Sequence, residues 1–292
     1  MPPSQSLTAP LLLAAKPVAD AIKITVAARV EAFKKNYGRA PKLSVVLVGD
    51  NPASVIYTSN KGKAAVAVGM EHETIKFPAT ATPAEIHATI VRLNKDPMVD
   101  GILIQRPLPP SFEENELLYW VDPAKDVDAF HPENVGRLSL GLPCLQPCTP
   151  TGVMAIFKHY QIQLSGKTAC VIGRSAIVGK PMATMLLQAN ATVLQTHSKT
   201  PNLPDVCRQA DIVVAAIGRG EMIDASYLKP GAVVIDVGMN RRDDGKLVGD
   251  CDFASCSTVA SAITPVPGGV GPMTITILLL NTVLAAEMRE LG

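Results

Sequence analysis

The sequence predicts an α/β protein of two domains. Three features carry the expectation: short β-branched runs alternating with helical patterns, a strand that enters a glycine turn and then an apolar helix, and an irregular, proline-punctuated stretch between two sets of strands. With 292 residues the chain can build two cores of ordinary size. Its 47% hydrophobic and 18% charged content belong to a packed globular protein rather than a disordered or fibrous one.

In chain order, the predicted strands of the first half are Leu43 to Val48, Thr74 to Phe77 and Gly101 to Ile104. Those of the second half are Ala169 to Ile172, Thr192 to Leu194, Ile212 to Ala215 and Val233 to Val237. Such alternation is the pattern of a mostly parallel sheet covered by helices. Asp122 to Pro150 shows no regular periodicity and ends in Pro147-Cys148-Thr149-Pro150, so a domain boundary belongs near its end. The opening helix, roughly Lys16 to Lys35, and the closing helix, roughly Met273 to Arg289, have no strand beside them. The closing helix is predicted to leave the second domain and pack back on the first, giving 1–148 plus 273–292 as one domain and 149–272 as the other.

Composition narrows the function classes. Lys plus Arg (27) nearly balance Asp plus Glu (26), the formal charge is +1, and no basic run appears, which argues against a nucleic-acid partner. Met1 to Pro10 lacks a basic n-region, so no signal peptide is expected. The most apolar stretch, Ile275 to Leu280, is interrupted by Asn281 and falls short of the roughly 20 residues of a spanning helix, so it reads as a core helix with no membrane partner. Six cysteines form no CxxC pair and no Cys/His spacing suited to zinc. No metal is expected, and buried thiols in a reducing cytoplasm are the simple reading.

The second half carries a cofactor signal. The strand Thr168 to Ile172 runs into Gly173-Arg174-Ser175-Ala176-Ile177-Val178-Gly179-Lys180-Pro181 and then an apolar helix, Met182 to Ala189. This order presents backbone N–H groups and the positive helix end to a pyrophosphate. It predicts a Rossmann-like dinucleotide-binding domain, although Ser175 replaces the second glycine of G-x-G-x-x-G and the motif by itself also fits a bare turn. The next strand ends in His197-Ser198-Lys199-Thr200 rather than in the acidic residue that holds a ribose 2′-hydroxyl in NAD enzymes. Ser198, Lys199 and Arg174 could bind a 2′-phosphate, which favours NADP over NAD; the alternative is that both cations are solvated surface charges. Glycines in Ala216-Ile217-Gly218 and Asp236-Val237-Gly238-Met239-Asn240 could admit a nicotinamide ribose, or be simple turns.

In the first half, Asp50-Asn51-Pro52 starts a helix on which Tyr57 and Lys61 stand four residues apart and share a face. Gln105, at the carboxyl end of the strand Gly101 to Ile104, and Asp128, in Lys125-Asp126-Val127-Asp128, complete a substrate pocket if they converge with that pair.

Several segments together carry a resemblance. They are Asn51-Pro52-Ala53-Ser54 with Tyr57 and Lys61, Ile104-Gln105-Arg106-Pro107-Leu108-Pro109, Lys125-Asp126-Val127-Asp128, Pro147-Cys148-Thr149-Pro150-Thr151-Gly152, Gly173 to Pro181, and Thr264-Pro265-Val266-Pro267-Gly268-Gly269-Val270-Gly271-Pro272-Met273-Thr274. In this order, from about Leu43 to Thr276, the chain resembles the bifunctional methylenetetrahydrofolate dehydrogenase/methenyltetrahydrofolate cyclohydrolase family. The resemblance implies catalysis by Lys61, Tyr57, Gln105 and Asp128. It implies folate binding by these together with Ile104, Arg106, Pro267, Gly268 and Gly271, and NADP binding by Thr151, Gly173, Arg174, Ser175, Val178, Gly179, His197, Ser198, Met239, Gly271 and Thr274. It further implies a homodimer.

The implied chemistry is oxidation of the methylene carbon between N5 and N10 of tetrahydrofolate, then hydrolysis of the methenyl product to 10-formyltetrahydrofolate. The second step requires a proton shuttle, and Lys61 is the candidate. Its reference pKa of ~10.4 requires burial or a nearby cation to leave useful neutral amine. Tyr57 is implied to stack on or position the folate. Asp128 matches the adjacent N–H and amino donors of the pterin with two oxygens. Two positions depart from the family pattern: Arg106 stands where Leu is usual, and Ala129 where Gly is usual. They leave open a dehydrogenase on this scaffold without cyclohydrolase activity, and a nicotinamide-sensing binding protein is the rival from another class.

Overall fold

The computed structural model describes residues 9–109 and 112–291. Most of Met1 to Pro10, where no signal peptide was expected, lies outside the described residues. In chain order the strands are β1 (Leu11–Leu12), β2 (Lys42–Val48), β3 (Glu71–Phe77), β4 (Gly101–Ile104), β5 (Thr168–Ile172), β6 (Thr192–Thr196), β7 (Ile212–Ala215), β8 (Val233–Asp236), β9 (Asn240–Arg241), β10 (Leu247–Val248) and β11 (Ala262–Ile263). The chain divides into two compact units, one of Asp20–Cys148 with the residues from Ile275 onward, the other of Thr149–Thr274 with the described residues up to Ala19.

The first unit holds a parallel sheet in the order β3-β2-β4. Its central strand is buried from Leu43 to Val48, as a parallel strand covered on both faces requires. Edge strand β3 places Glu71, Glu73 and Lys76 among its apolar residues, which blunts the edge. The Pro52–Ala67 helix begins where Asn51 Oδ1 accepts from Ala53 N and Ser54 N at 3.0 and 3.2 Å, with proline in the first turn. The Pro83–Lys95 helix opens with a capping box between Thr82 and Glu85. At its other end buried Lys125 donates from Nζ to Leu93 O (2.9 Å) and Asp96 O (2.6 Å).

The closing helix runs Gly271–Leu291, and from Ile275 it belongs to this unit, as expected. Ile277, Leu278 and Val283 share a core with Val26, Val30, Leu43, Val45 and Leu103. Arg29 pairs with Glu287, and Asp100, with no solvent exposure, receives both Arg39 and Arg289. Asn281 does not end the apolar run: the helix passes through it, and over Gly271–Glu290 it is long and apolar enough to cross a membrane. Its Ile277, Leu278, Leu279 and Val283 side chains are buried in the protein core, and buried Asn281 donates from Nδ2 to Val127 O and Gln146 O, both at 2.8 Å.

The second unit holds a six-stranded, wholly parallel sheet in the order β1-β11-β8-β7-β5-β6. The chain moves from β5 outward to β6, then returns to the other side of β5 for β7. The gap between the carboxyl ends of β5 and β7 is therefore the topological switch point, where open α/β sheets bind ligands.

Two expectations differ from the structure. The assignment of 1–148 to the substrate domain fails at its start: β1 pairs in parallel with β11, and Ala15 N donates to Gly268 O at 2.9 Å, so the described residues up to Ala19 group with the dinucleotide unit. Two-residue strands have no readable period, which is why β1, β11 and the β9–β10 hairpin were missed. The stretch Asp122 to Pro150 is also less irregular than its sequence suggests. It contains the Pro132–Ser139 helix, capped by the His131 ring, whose Nδ1 accepts from Glu133 N at 3.1 Å.

Candidate active site and dinucleotide site

In the first unit the helix, the central strand pair and the loop after β4 bring Lys61, Gln105 and Asp128 together. Lys61, 8% exposed, donates from Nζ to Gln105 Oε1 at 2.8 Å. Gln105 extends β4, its N–H bonded to Val46 O at 2.9 Å, and its Nε2 donates to Arg106 O at 2.6 Å. That second bond turns the amide so that its only acceptor faces the amine. Burial pushes the Lys61 pKa down, and the carboxylate of Asp128 with the Cys148 thiol pushes back. Burial likewise raises Asp128, opposed by Lys61, Arg106 and a hydrogen bond from Cys148. Tyr57, half-buried four residues before Lys61, has its phenol pKa raised by burial.

The Lys125-Asp126-Val127-Asp128 segment divides its labour. Lys125 ties off a helix, Val127 is core, and buried Asp126 accepts from His131 N (2.7 Å), Ala129 N (3.1 Å) and Asn134 Nδ2 (3.3 Å). Burial raises Asp126 to about 6. The resulting tight turn holds Ala129 at φ +59°, the left-handed region that suits the glycine usual there. Asp128 emerges from this turn into a water-sized cavity of about 30 Å³ whose walls include Ile104, Arg106, Phe130 and His131. Arg106 is directed there rather than away from the site, with its guanidinium carbon 5.8 Å from the centroid of the Phe130 ring.

In the second unit the glycine turn follows β5. A Cβ on Gly173 would lie 2.2 Å from Ala216 O, and one on Gly179 would lie 2.3 Å from Gly173 O, so neither position admits a side chain. The helix starts at Gly179, earlier than expected. Ser175, standing at the second glycine of the usual spacing, accepts on Oγ from Val178 N and Gly179 N, each at 3.2 Å, and so ties the turn to the first residue of the helix. After β6, Thr200 Oγ1 accepts from His197 N (3.0 Å) and His197 Nδ1 accepts from Lys199 N (3.1 Å). The turn thus fixed leaves Ser198 and Lys199 exposed, as Arg174 is after β5.

Pro267, Gly268 and Gly271, implied to touch folate, belong to this second unit. The Val266–Pro267 bond is cis, and Met239 Cε would lie 2.7 Å from a Cβ on Gly271. Thr149 and Thr274 exchange a hydroxyl hydrogen bond at 3.0 Å, two residues from Thr151, and a Cβ on Gly152 would meet Met273 at 2.6 Å. Met239, Gly271, Gly152 and Thr274 are thus locally interlocked.

Three further buried residues stand at these sites. Cys148, fully inside, donates to Val127 O (3.3 Å) and abuts Asp128; only its place in the Pro-Cys-Thr-Pro segment marked it. Asp236 and Asp250 are buried carboxylates of the second unit. Asp236 accepts from Asp250 N (2.8 Å), Cys251 N (2.9 Å) and Gly238 N (2.9 Å), yet burial still raises it to about 6. Its position at the end of β8 was a readable signal.

A tuned lysine on one α/β unit and a glycine turn at the switch point of a parallel sheet on another define a two-domain, nucleotide-dependent oxidoreductase. The switch-point turn and the exposed Arg174, Ser198 and Lys199 fit a phosphorylated dinucleotide. Comparison makes the class specific: the chain belongs to the tetrahydrofolate dehydrogenase/cyclohydrolase family, matching its catalytic domain over residues 13–128 and its NAD(P)-binding domain over 147–290. It is 52% identical to the bifunctional protein FolD of Rhodospirillum rubrum over 291 residues, covering 96% of this chain and 98% of that one. The crystal structure of the bifunctional FolD of Campylobacter jejuni is 46% identical and superposes with a TM-score of 0.94 over 96% of this chain and all of that one. The FolD of Trypanosoma brucei, solved with NADP and an inhibitor, is 36% identical with a TM-score of 0.91, covering 97% and 99% of the two chains.

Proposed function

We propose that the protein oxidises 5,10-methylenetetrahydrofolate with NADP and hydrolyses the 5,10-methenyl product to 10-formyltetrahydrofolate. The observation that carries the reading is the buried Lys61–Gln105 hydrogen bond beside Asp128. Bifunctional relatives at about half identity over nearly the whole chain favour both activities over the dehydrogenase alone.

NADP, when bound, accepts hydride from the methylene carbon. The residues of the chain do the rest: Asp128 receives the pterin N–H and amino donors, Tyr57 positions the ring system, and Gln105 holds the Lys61 amine on the reacting carbon. In hydrolysis, water adds to the methenyl carbon while Lys61 takes its proton. The bond from that carbon to N5 then breaks, Lys61 delivers the proton to N5, and one proton per turnover is released to solvent. Arg174 and Lys199 would neutralise a 2′-phosphate and Ser198 would hydrogen-bond it, and Thr151, Gly173, Val178, Gly179 and Thr274 would bound the rest of the dinucleotide.

The reading extends to a cytoplasmic homodimer. Six free thiols support a reducing compartment. The groove beside edge strand β3, with Val55 and Val66 exposed and Thr58 Oγ1 and His72 Nδ1 buried without a partner, supports a second copy. Sedimentation giving the mass of one chain would contradict the dimer. The function is tested by turnover of methylenetetrahydrofolate with each cofactor, following methenyl absorbance. The expected result is a specificity constant at least about tenfold higher for NADP than for NAD, with methenyl-folate formed and then consumed. Equal constants would refute the 2′-phosphate assignment, and methenyl-folate that persists would leave a dehydrogenase alone.

A further inference from the structure

Beyond β7 the chain turns through Ile217, Gly218 and Arg219, and three successive N–H groups converge on one carboxylate. Asp250 Oδ2 accepts from Ile217 N at 2.7 Å and Gly218 N at 3.1 Å, while Oδ1 accepts from Arg219 N at 3.0 Å and Asn240 Nδ2 at 2.9 Å. Asp250 has no solvent exposure. Consecutive N–H groups of this kind form the concavity in which proteins hold phosphates and other anions. Here the chain fills it with its own side chain.

Charge buried among neutral donors is unfavourable as a packing device, because desolvation must be recovered by the bonds alone. What a carboxylate offers is capacity: two oxygens accept four donors, more than a hydroxyl or an amide oxygen can. Asp250 uses that capacity to join separate segments, the turn after β7 and the chain after β8. The second segment also runs directly over it, since a Cβ on Gly238 would lie 2.3 Å from Asp250 Oδ1. The turn after β7 borders the switch point, and the second segment follows β8, the neighbour of β7 in the sheet. Ala216, one residue before the clamped turn, leaves no room for a side chain on Gly173, and Met239 lies between Gly238 and Asn240, against Gly271.

We propose that Asp250 is a positioning residue for the dinucleotide: its carboxylate locks the turn after β7 and the Gly238–Asn240 segment in the shape that receives the nicotinamide half of the cofactor. The proposal rests on reading this unit as the NADP site. Affinity is then organised before binding, and loosening the clamp lowers it without touching folate chemistry.

The test is calorimetric titration of NADP into the full-length protein, wild type, Asp250→Asn and Asn240→Ala. Asparagine keeps the shape but turns one oxygen into a donor facing N–H groups. The expected result is a Kd weakened about tenfold or more for Asp250→Asn and about threefold for Asn240→Ala. Hydrolysis of methenyl-folate, assayed without NADP, stays within about twofold of wild type. Should Asp250→Asn not fold, Asn240→Ala carries the same comparison. Unchanged NADP affinity in the folded variants would overturn the proposal. So would parallel loss of NADP binding and hydrolysis, the mark of general loosening. Failure of the wild type to bind NADP would overturn the underlying reading and the proposal with it, and is distinguished because it appears before any substitution is made.

Discussion

At Lys61 two groups of opposite sign, a buried amine and a partly exposed carboxylate, shift each other's pKa. Desolvation lowers the amine and raises the carboxyl of Asp128, and each opposes the other's shift. Removing the carboxylate charge therefore lowers the Lys61 pKa further. Asp128→Asn, assayed for hydrolysis at saturating methenyl-folate, moves the acid limb of the pH–rate profile to lower pH; a move to higher pH would contradict the coupling. Arg106 acts on the same carboxyl by holding its pKa down, so Arg106→Leu raises it. Folate KM then climbs more steeply as the medium is acidified, while NADP affinity is unchanged, and a KM ratio to wild type that does not vary with pH would deny Arg106 that role. The residue types of this cluster were legible from helix spacing and strand ends. The direction of Arg106 and the presence of Cys148 were not, because a pocket's inner wall is set by tertiary packing that no local period encodes.

Elements were legible in proportion to their length. β2 through β8 follow from β-branched runs, the 52–67 helix from its Asn-Pro start, and the closing helix from its apolar content. β1 and β11 exist only as partners of each other and of β8, so nothing local announces them. Ser175 shows a further limit: the missing glycine weakened the motif, yet the hydroxyl holds the turn by accepting from Val178 N and Gly179 N. Asn281, a polar residue in the apolar run, is a tie. Asn281→Leu leaves the Val127 and Gln146 carbonyls without that amide and lowers stability by about 2 kcal/mol. Because Val127 precedes Asp128, folate KM rises before NADP affinity falls. Denaturant titration with both binding measurements checks this, and unchanged stability would refute the tie.

At the scale of the whole molecule the chain threads its two units alternately. The opening helix starts in the dinucleotide unit and ends in the folate unit, and the closing helix does the same. The sequence marked breaks near Cys148 and at the start of the closing helix, but not the crossing at Ala19, which falls inside a continuous helix. On the proposed function, hydrolytic proton transfer falls to the first unit and dinucleotide binding to the second. Lys61→Met, assayed for methenyl-folate hydrolysis and titrated with NADP in the same preparation, tests that assignment most directly. Hydrolysis is expected to be abolished while NADP binds as in the wild type; hydrolysis at the wild-type rate would remove Lys61 from the chemistry.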